Sequence, residues 1–324
     1  MLNRNAEALF WVGRYMERAE NHARLIDVHY HLEEGHAAQE ARGDDGAPCK
    51  WSGIVDALGS RTDYEERYGS SYREAEVIRY VTLDRDHSNS LFACVSHARD
   101  NLRSLREKLP SELWDVVNGF YLWLRDPGNE AVLKQSPHRF FVRVKEWAAL
   151  FQGMAQSVMP RENEWHFMGC GRYLERAENT LRILQVAHGR PSADWAERYS
   201  YLQAVLKSVS AYQVFRRYHS DSLRDDTVFE FLLLHGAFPR SVQYAMQTLT
   251  GHLKGLELQA PAVKSSHVKL VRQSGKIVAE LSCLGREDLE SGNETQILYQ
   301  MTGSCGSLGT AFANVFFRFE EVGA

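Results

Sequence analysis

The sequence has little that would seat it in a membrane or on nucleic acid. No stretch approaches the roughly 18 consecutive apolar residues of a membrane-crossing helix, and the mean hydropathy is −0.41, so no transmembrane helix is expected. There is no basic excess either. Lys and Arg total 38 against 42 Asp and Glu, a net charge of −4, which leaves nothing to neutralise a run of phosphates. The five cysteines, Cys49, Cys94, Cys170, Cys283 and Cys305, are odd in number, widely spaced and form no CxxC pair. That argues against a disulfide framework and a thiolate zinc site, and it fits free, mostly buried thiols in a reducing compartment. A cytoplasmic location is therefore expected. The first helical segment begins near residue 3 and is charged, which does not read as a signal peptide. Neither GxxxxGK[ST] nor a strand-preceded GxGxxG is present, and no Ser/His/Asp or Cys/His spacing rises above coincidence.

What remains is an ordinary globular composition, 44% apolar and 25% charged over 324 residues, long enough for one large domain or two modest ones. Only eight prolines occur, each near a break in apolar periodicity, and period-2 alternation is scarce. The spacing predicts helices over about 4–34, 51–58, 71–84, 89–108, 111–125, 138–159, 163–188, 194–218, 227–235, 239–254, 262–284 and 293–319. Asn89 and Ser111 suit helix starts, and Pro239 suits a first turn with Arg240 beside it. Residues 35–50, GHAAQEARGDDGAPCK, read as a Gly/Ala/Asp-rich loop and a candidate for local disorder. Gly303, Gly306 and Gly309 predict either a break in the last helix or close packing of another helix there. The fold class is all-α.

The strongest signal is an internal repeat. Residues 13–28 read GRYMERAENHARLIDV and residues 171–186 read GRYLERAENTLRILQV, identical at ten of sixteen positions where average usage gives about one. Val77–Leu83 echoes Val228–Leu234 more weakly. The whole chain, 1–324, reads as one multi-helix bundle of two pseudo-repeated halves, about 1–160 and 161–324. At about 100° per residue, Leu9, Val12, Met16, Ala19, Ala23, Ile26 and Tyr30 form a core stripe. Phe167, Cys170, Leu174, Ala177, Leu181, Leu184 and His188 form its counterpart. Cys170 thus sits at a packing position matched by Val12, where a thiol is unreactive.

The opposite face is polar in its middle and apolar at both ends. Arg14, Glu17, Arg18, Asn21 and Arg24, with Glu20 at the edge, lie between Phe10 and Leu25. Arg172, Glu175, Arg176, Asn179 and Arg182, with Glu178 at the edge, lie between Met168 and Ile183. A face bracketed in this way is enclosed. As a structural network, its Glu and Arg residues would pair across a pseudo-axis, and losing one partner would cost about 3–5 kcal/mol. As a ligand site, its Arg forks would grip a carboxylate or phosphate and its Glu and Asn an amine, which suits a small amino-acid-like molecule. Metal is disfavoured: no His stands at +3 of these glutamates as in di-iron bundles, and the arginines repel a cation.

The two GRYxERAEN motifs, with Leu83–Asp86, Leu109–Trp114 (LPSELW), Glu164–Phe167 (EWHF), Phe231–Leu234 and Phe238–Val242 (FPRSV), resemble the alpha-E domain family across nearly the whole chain. That family is all-α and bacterial, and is found beside or fused to circularly permuted ATP-grasp ligases and transglutaminase-like proteins. The resemblance implies a role in ATP-dependent amide-bond formation or peptide modification. An ATP-grasp ligase would be the partner, with a transglutaminase-like protein as a further one. ATP and Mg would bind the ligase, and no cofactor is expected on this chain. The carried-over motif residues are Arg14, Glu17, Arg18, Glu20, Asn21, Arg172, Glu175, Arg176, Glu178 and Asn179. The chain departs from the family at His87-Ser88 and at His235-Gly236, both in turns ahead of helices. The other reading is a non-catalytic scaffold or binding module.

Overall fold

The computed structural model describes residues 3–36, 50–189, 194–219, 223–290 and 292–318. The 35–50 loop falls largely outside them. Among the described residues there are helices and no strands. They run α1 (Asn3–His36), α2 (Lys50–Ala57), α3 (Arg61–Tyr68), α4 (Glu74–Thr82), α5 (Leu91–Ser104), α6 (Ser111–Arg125), α7 (Pro127–Gln135) and α8 (Pro137–Val158). They continue with α9 (Asn163–His188), α10 (Trp195–Ser208), α11 (Tyr212–Tyr218), α12 (Asp225–Leu234), α13 (Val242–Lys254), α14 (Pro261–Cys283), α15 (Arg286–Glu290) and α16 (Glu294–Phe316).

The expected helices are present, with instructive differences. α3, RTDYEERY, buries only Tyr64, and α7 buries only Leu133, so neither carries an apolar stripe to read. Pro127 does not end a helix. It opens α7 at a position that needs no N–H, with Asp126 accepting from Gly128 N–H. The single helix expected over 194–218 is broken between α10 and α11, where Ser210 takes a positive φ of 54°. The serines, not their neighbours, cap two central helices. Ser90 Oγ accepts from Ala93 N–H and donates to Asp84 O, while Ser241 Oγ accepts from Tyr244 N–H and donates to His235 O. Asn89 and Arg240 thereby fall just before the helices and are released from capping. The last helix is continuous through its glycines. Only Gly309 packs closely, its absent Cβ position lying 3.3 Å from Leu174 Cδ2, while Gly303 and Gly306 face open space.

Two apolar cores flank a central pair of helices. The α1 stripe of Val12, Met16, Ala19, Ala23 and Ile26 joins α2, α4, α5, α6 and α8 in one core. The α9 stripe of Cys170, Leu174, Ala177, Leu181 and Leu184 joins α10, α12, α13, α14 and α16 in the other. Each helix thus turns its back on its own core and its polar face toward the other. At the crossing they also trade residues: Ala6, Ala8, Leu9 and Phe10 of α1 enter the second core, Phe10 stacked 4.5 Å from Phe312, so Leu9 leaves the stripe expected for it, and Met168 of α9 enters the first.

The crossing is close because Gly13 and Gly171 meet backbone. A Cβ on Gly13 would lie 2.0 Å from Met168 O, and one on Gly171 would lie 1.9 Å from Phe10 O. Gly13→Ala or Gly171→Ala should therefore force the helices apart and cost about 1–3 kcal/mol or more. Gly303→Ala, in the open middle of α16, should add about 0.5–1 kcal/mol through helix propensity. Urea unfolding of the three variants checks the opposite signs.

Candidate functional site

The polar faces of α1 and α9 close on each other just past the glycine crossing. Arg176 holds Glu17 with two hydrogen bonds, Nε to Oε1 at 2.8 Å and Nη2 to Oε2 at 2.7 Å. Arg18 holds Glu175 in the same way, Nε to Oε1 at 2.8 Å and Nη2 to Oε2 at 2.9 Å. The exchange continues outward. Arg14 Nε donates to Glu175 Oε2 at 2.8 Å, and Arg172 Nε stands 3.6 Å from Glu17 Oε2. Arg14 also pairs with Glu178. Glu17 and Glu175 have side chains with no solvent exposure, so the enclosure read from the bracketing apolar residues is observed.

Each end of the layer is closed by a different residue. Beside Glu17, Arg240 donates to Glu17 Oε1 at 3.0 Å, to Asn21 Oδ1 at 2.8 Å and to Glu20 Oε1 at 2.6 Å. Glu20 also accepts from Arg24, whose guanidinium reaches on to Ser210. Beside Glu175, Asn89 takes this place. Its Oδ1 accepts from Arg18 Nη1 at 3.1 Å, and its Nδ2 donates to Leu58 O at 3.1 Å. Arg182 approaches Glu175 only to 3.5 Å, and the buried Asn179 side chain makes no hydrogen bond among the described residues. The twelve residues expected from the motifs thus line the two facing helices, but Arg182 and Asn179 join the network loosely.

Arg240 was not expected here. The sequence reading put it in the first turn of a helix, whereas the helix starts two residues later and frees its side chain for the layer. The signal was the weak echo at offset 151: extended past Leu234, it sets Arg240 against Asn89 and Ser241 against Ser90.

Electrostatics follow from the pairing. Burial pushes the Glu17 carboxyl up, but Arg176, Arg240 and Arg172 overcome it and hold it well below the usual carboxylate range. Burial acts likewise on Glu175, and Arg14, Arg18 and Arg182 overcome it. In sum seven guanidiniums, those of Arg14, Arg18, Arg24, Arg172, Arg176, Arg182 and Arg240, face the four carboxylates of Glu17, Glu20, Glu175 and Glu178. The layer is cationic by three charges. Asn21 Nδ2, His22 Nδ1, Arg172 Nε and Arg182 Nε are buried without a hydrogen-bond partner in the structure. The four glutamates are already engaged by arginine, which leaves no open carboxylate set for a metal. Cys170 and Cys305, on the apolar side of α9 and facing it from α16, are both raised by burial, Cys305 to about 12, so neither is a ready nucleophile.

The Alpha-E family model, described as a predicted alpha-helical domain with a conserved ER motif, matches residues 1–317. The chain belongs to the Alpha-E family. It is also similar to proteins named as uncharacterized from Mycobacterium bovis and Mycobacterium tuberculosis, each 27% identical over 265 residues. The match covers 76% of this chain and 29% of each relative, so the chain spans less than a third of the length of the curated relatives it matches. No solved structure matches. In this Alpha-E protein the Glu17-Arg18 and Glu175-Arg176 steps face each other, and each Glu is held by the other step's Arg.

Two outcomes follow for stability. Arg176, 5% exposed, supplies two of the three hydrogen bonds to Glu17, and without it Arg240 remains on Oε1 while the buried Oε2 has none. Arg176→Gln should cost about 3–5 kcal/mol, and Arg172→Gln, with only a 3.6 Å contact, far less. Paired chemical-denaturation curves check the contrast.

The second outcome concerns pH. Burial, aided by Arg18, presses His22 from 6.5 to about 3. Burial, aided by His166, whose Nδ1 lies 3.2 Å from its own, presses His252 to about 4. The unfolded chain then binds protons that the folded chain does not, so stability is full above about 6.5 and falls as pH drops toward those values. The slope is about 1.4 kcal/mol per unit for each histidine. The depressed Glu17 and Glu175 add to the loss only below about 4.5. Burial also lowers His87 and His166, so denaturation midpoints between pH 7 and 5 should fall in the wild type and fall less steeply in His22→Gln.

Proposed function

We propose that this Alpha-E protein is the substrate-holding subunit of an ATP-grasp amidoligase system, which forms amide bonds or modifies peptides at the expense of ATP. The ATP-grasp partner binds ATP and Mg and makes an acyl phosphate. This chain holds the amino-acid- or peptide-like acceptor, or the modified peptide, at the Arg/Glu layer, and a transglutaminase-like protein is a further partner of the same system. The observation that carries the reading is the cationic excess of an enclosed, duplicated layer in which buried donors lack acceptors. A network built only for stability needs no three surplus charges around fully buried carboxylates.

The second reading is a non-catalytic scaffold whose ER steps are a fixed ion-pair network. The doubly bonded and fully enclosed Glu17–Arg176 and Glu175–Arg18 pairs favour it for those four residues. The two readings divide the layer: the inner pairs hold the helices, and the outer arginines are left for a ligand.

The test is co-expression with an ATP-grasp protein encoded nearby. The two should co-purify, and ATP consumption with amide-bond formation should require both chains. Arg182→Gln should keep the complex and lower its turnover at least about tenfold. ATP turnover by this chain alone with an amino acid would show that the division of labour is wrong.

A further inference from the structure

The exchange that relates α1 to α9 is closed differently on its two sides, and buried donors lack acceptors on both, Asn21 Nδ2 and Arg172 Nε beside Glu17 and His22 Nδ1 and Arg182 Nε beside Glu175. On the Glu17 side, Arg240 ties Glu17, Glu20 and Asn21 together. On the Glu175 side, the corresponding residue is the neutral Asn89, and Arg182 swings toward Glu175 without reaching hydrogen-bond distance from its Nη2 at 3.5 Å. Its Nε is buried and unpartnered. One turn beyond Arg18 on the same face of α1 stands His22, 2% exposed, with Nδ1 also unpartnered. At the matching place on α9 is Thr180, whose hydroxyl is used up on Arg240 O. Arg18 and Arg182 both reach Glu175 Oε1, at 2.8 and 3.5 Å, which sets Arg182 beside the turn of α1 that carries His22, and both disfavour protonation of that imidazole.

These are all nitrogen groups. A neutral imidazole can carry its proton on Nδ1, and a guanidinium has only donors to give. With the proton on Nδ1, His22 and Arg182 are two buried donors at the cationic end of one layer, and an anionic oxygen is a partner that suits both. Leaving each unpaired is costly, whereas a charged acceptor would satisfy both. Arg182 is 32% and Arg18 20% exposed at the side chain, so this edge of the layer opens to solvent.

We infer that the Arg182–His22 edge of the layer is the binding place for the oxyanion head, carboxylate or phosphate, of a small ligand, with Arg182 and Arg18 supplying charge and His22 a neutral donor. The inference rests on the substrate-holding reading above and gives it an address and a chemical class. The remainder of the ligand lies outward, toward the partner that performs the chemistry.

The experiment uses the isolated full chain, at fixed ionic strength, with sodium phosphate and sodium glutamate as probes in separate titrations followed by thermal unfolding and calorimetry. One of the two should raise the melting temperature saturably, and which one does so assigns the head group. Arg182→Gln should weaken that binding at least about tenfold while its ligand-free melting temperature stays near wild type. If it does not fold, Arg182→Lys, which keeps the charge and loses the fork, should still weaken binding. Arg143→Gln, on the exposed face of α8, should change nothing. Absence of a saturable response to both anions, an Arg182→Gln variant that binds like wild type, or a crystal structure at high concentration of the responding anion with only water on Arg182 Nε and His22 Nδ1 would overturn the inference. Because no second protein is involved, failure here leaves co-purification with an ATP-grasp protein standing, and failure of that partnership leaves anion binding standing.

Discussion

The fold depends on how closely α1 approaches α9. Two glycines remove the side chains that would hold the helices apart, and backbone then meets backbone at Gly13 and Gly171. Only at that separation can an arginine from one helix span a glutamate on the other with both nitrogens of its fork. Small residues at the crossing and long charged ones beyond it are one device. The glycines set the spacing, and the ion pairs fix the rotation of each helix about its axis.

Much of this was legible from the residues. The apolar stripes give the two cores, and the bracketing of a polar middle by apolar ends gives its enclosure, because periodicity reports burial wherever a helix has two covered faces. The repeat gives the partners, since a face copied on two helices is a face that can meet itself. Local rules failed where tertiary contacts outranked them. A cap was expected at Asn89, but Ser90 takes it because the Asn89 amide is engaged by Arg18 and Leu58. Arg240 was hidden for the same kind of reason: its partners are some 220 residues away, and no local pattern reports them. Short helices with one buried residue, such as α3 and α7, carry too little periodicity to be seen.

The two ends of the layer have taken different courses from one motif. At the Glu17 end, Arg240 adds charge and closes the network, so that glutamates and arginines hold one another. At the Glu175 end, a neutral amide stands in its place and the neighbouring groups are left underemployed. The repeated motif supplies two similar charged faces, and different residues just ahead of α5 and α13, Asn89 and Arg240, close them differently. Residues of identical type therefore contribute differently according to which copy they occupy: Arg24 is tied to Glu20, whereas its counterpart Arg182 is not tied to Glu178.

The central ion pairs join residues about 160 positions apart in the chain, 159 for Glu17 and Arg176 and 161 for Arg14 and Glu175. On a ribosome adding about 5–20 residues per second, the α1 face waits roughly 8–30 s for its partner to be made. During that interval α2 to α8 can already gather on the apolar stripe of α1, while the face left over is covered in arginine and glutamate. Water solvates such a face well, so the half-made protein presents a charged surface where an apolar seam would have offered itself to any neighbour. Joining the two cores through salt bridges lets the nascent chain remain dispersed until its second helix arrives.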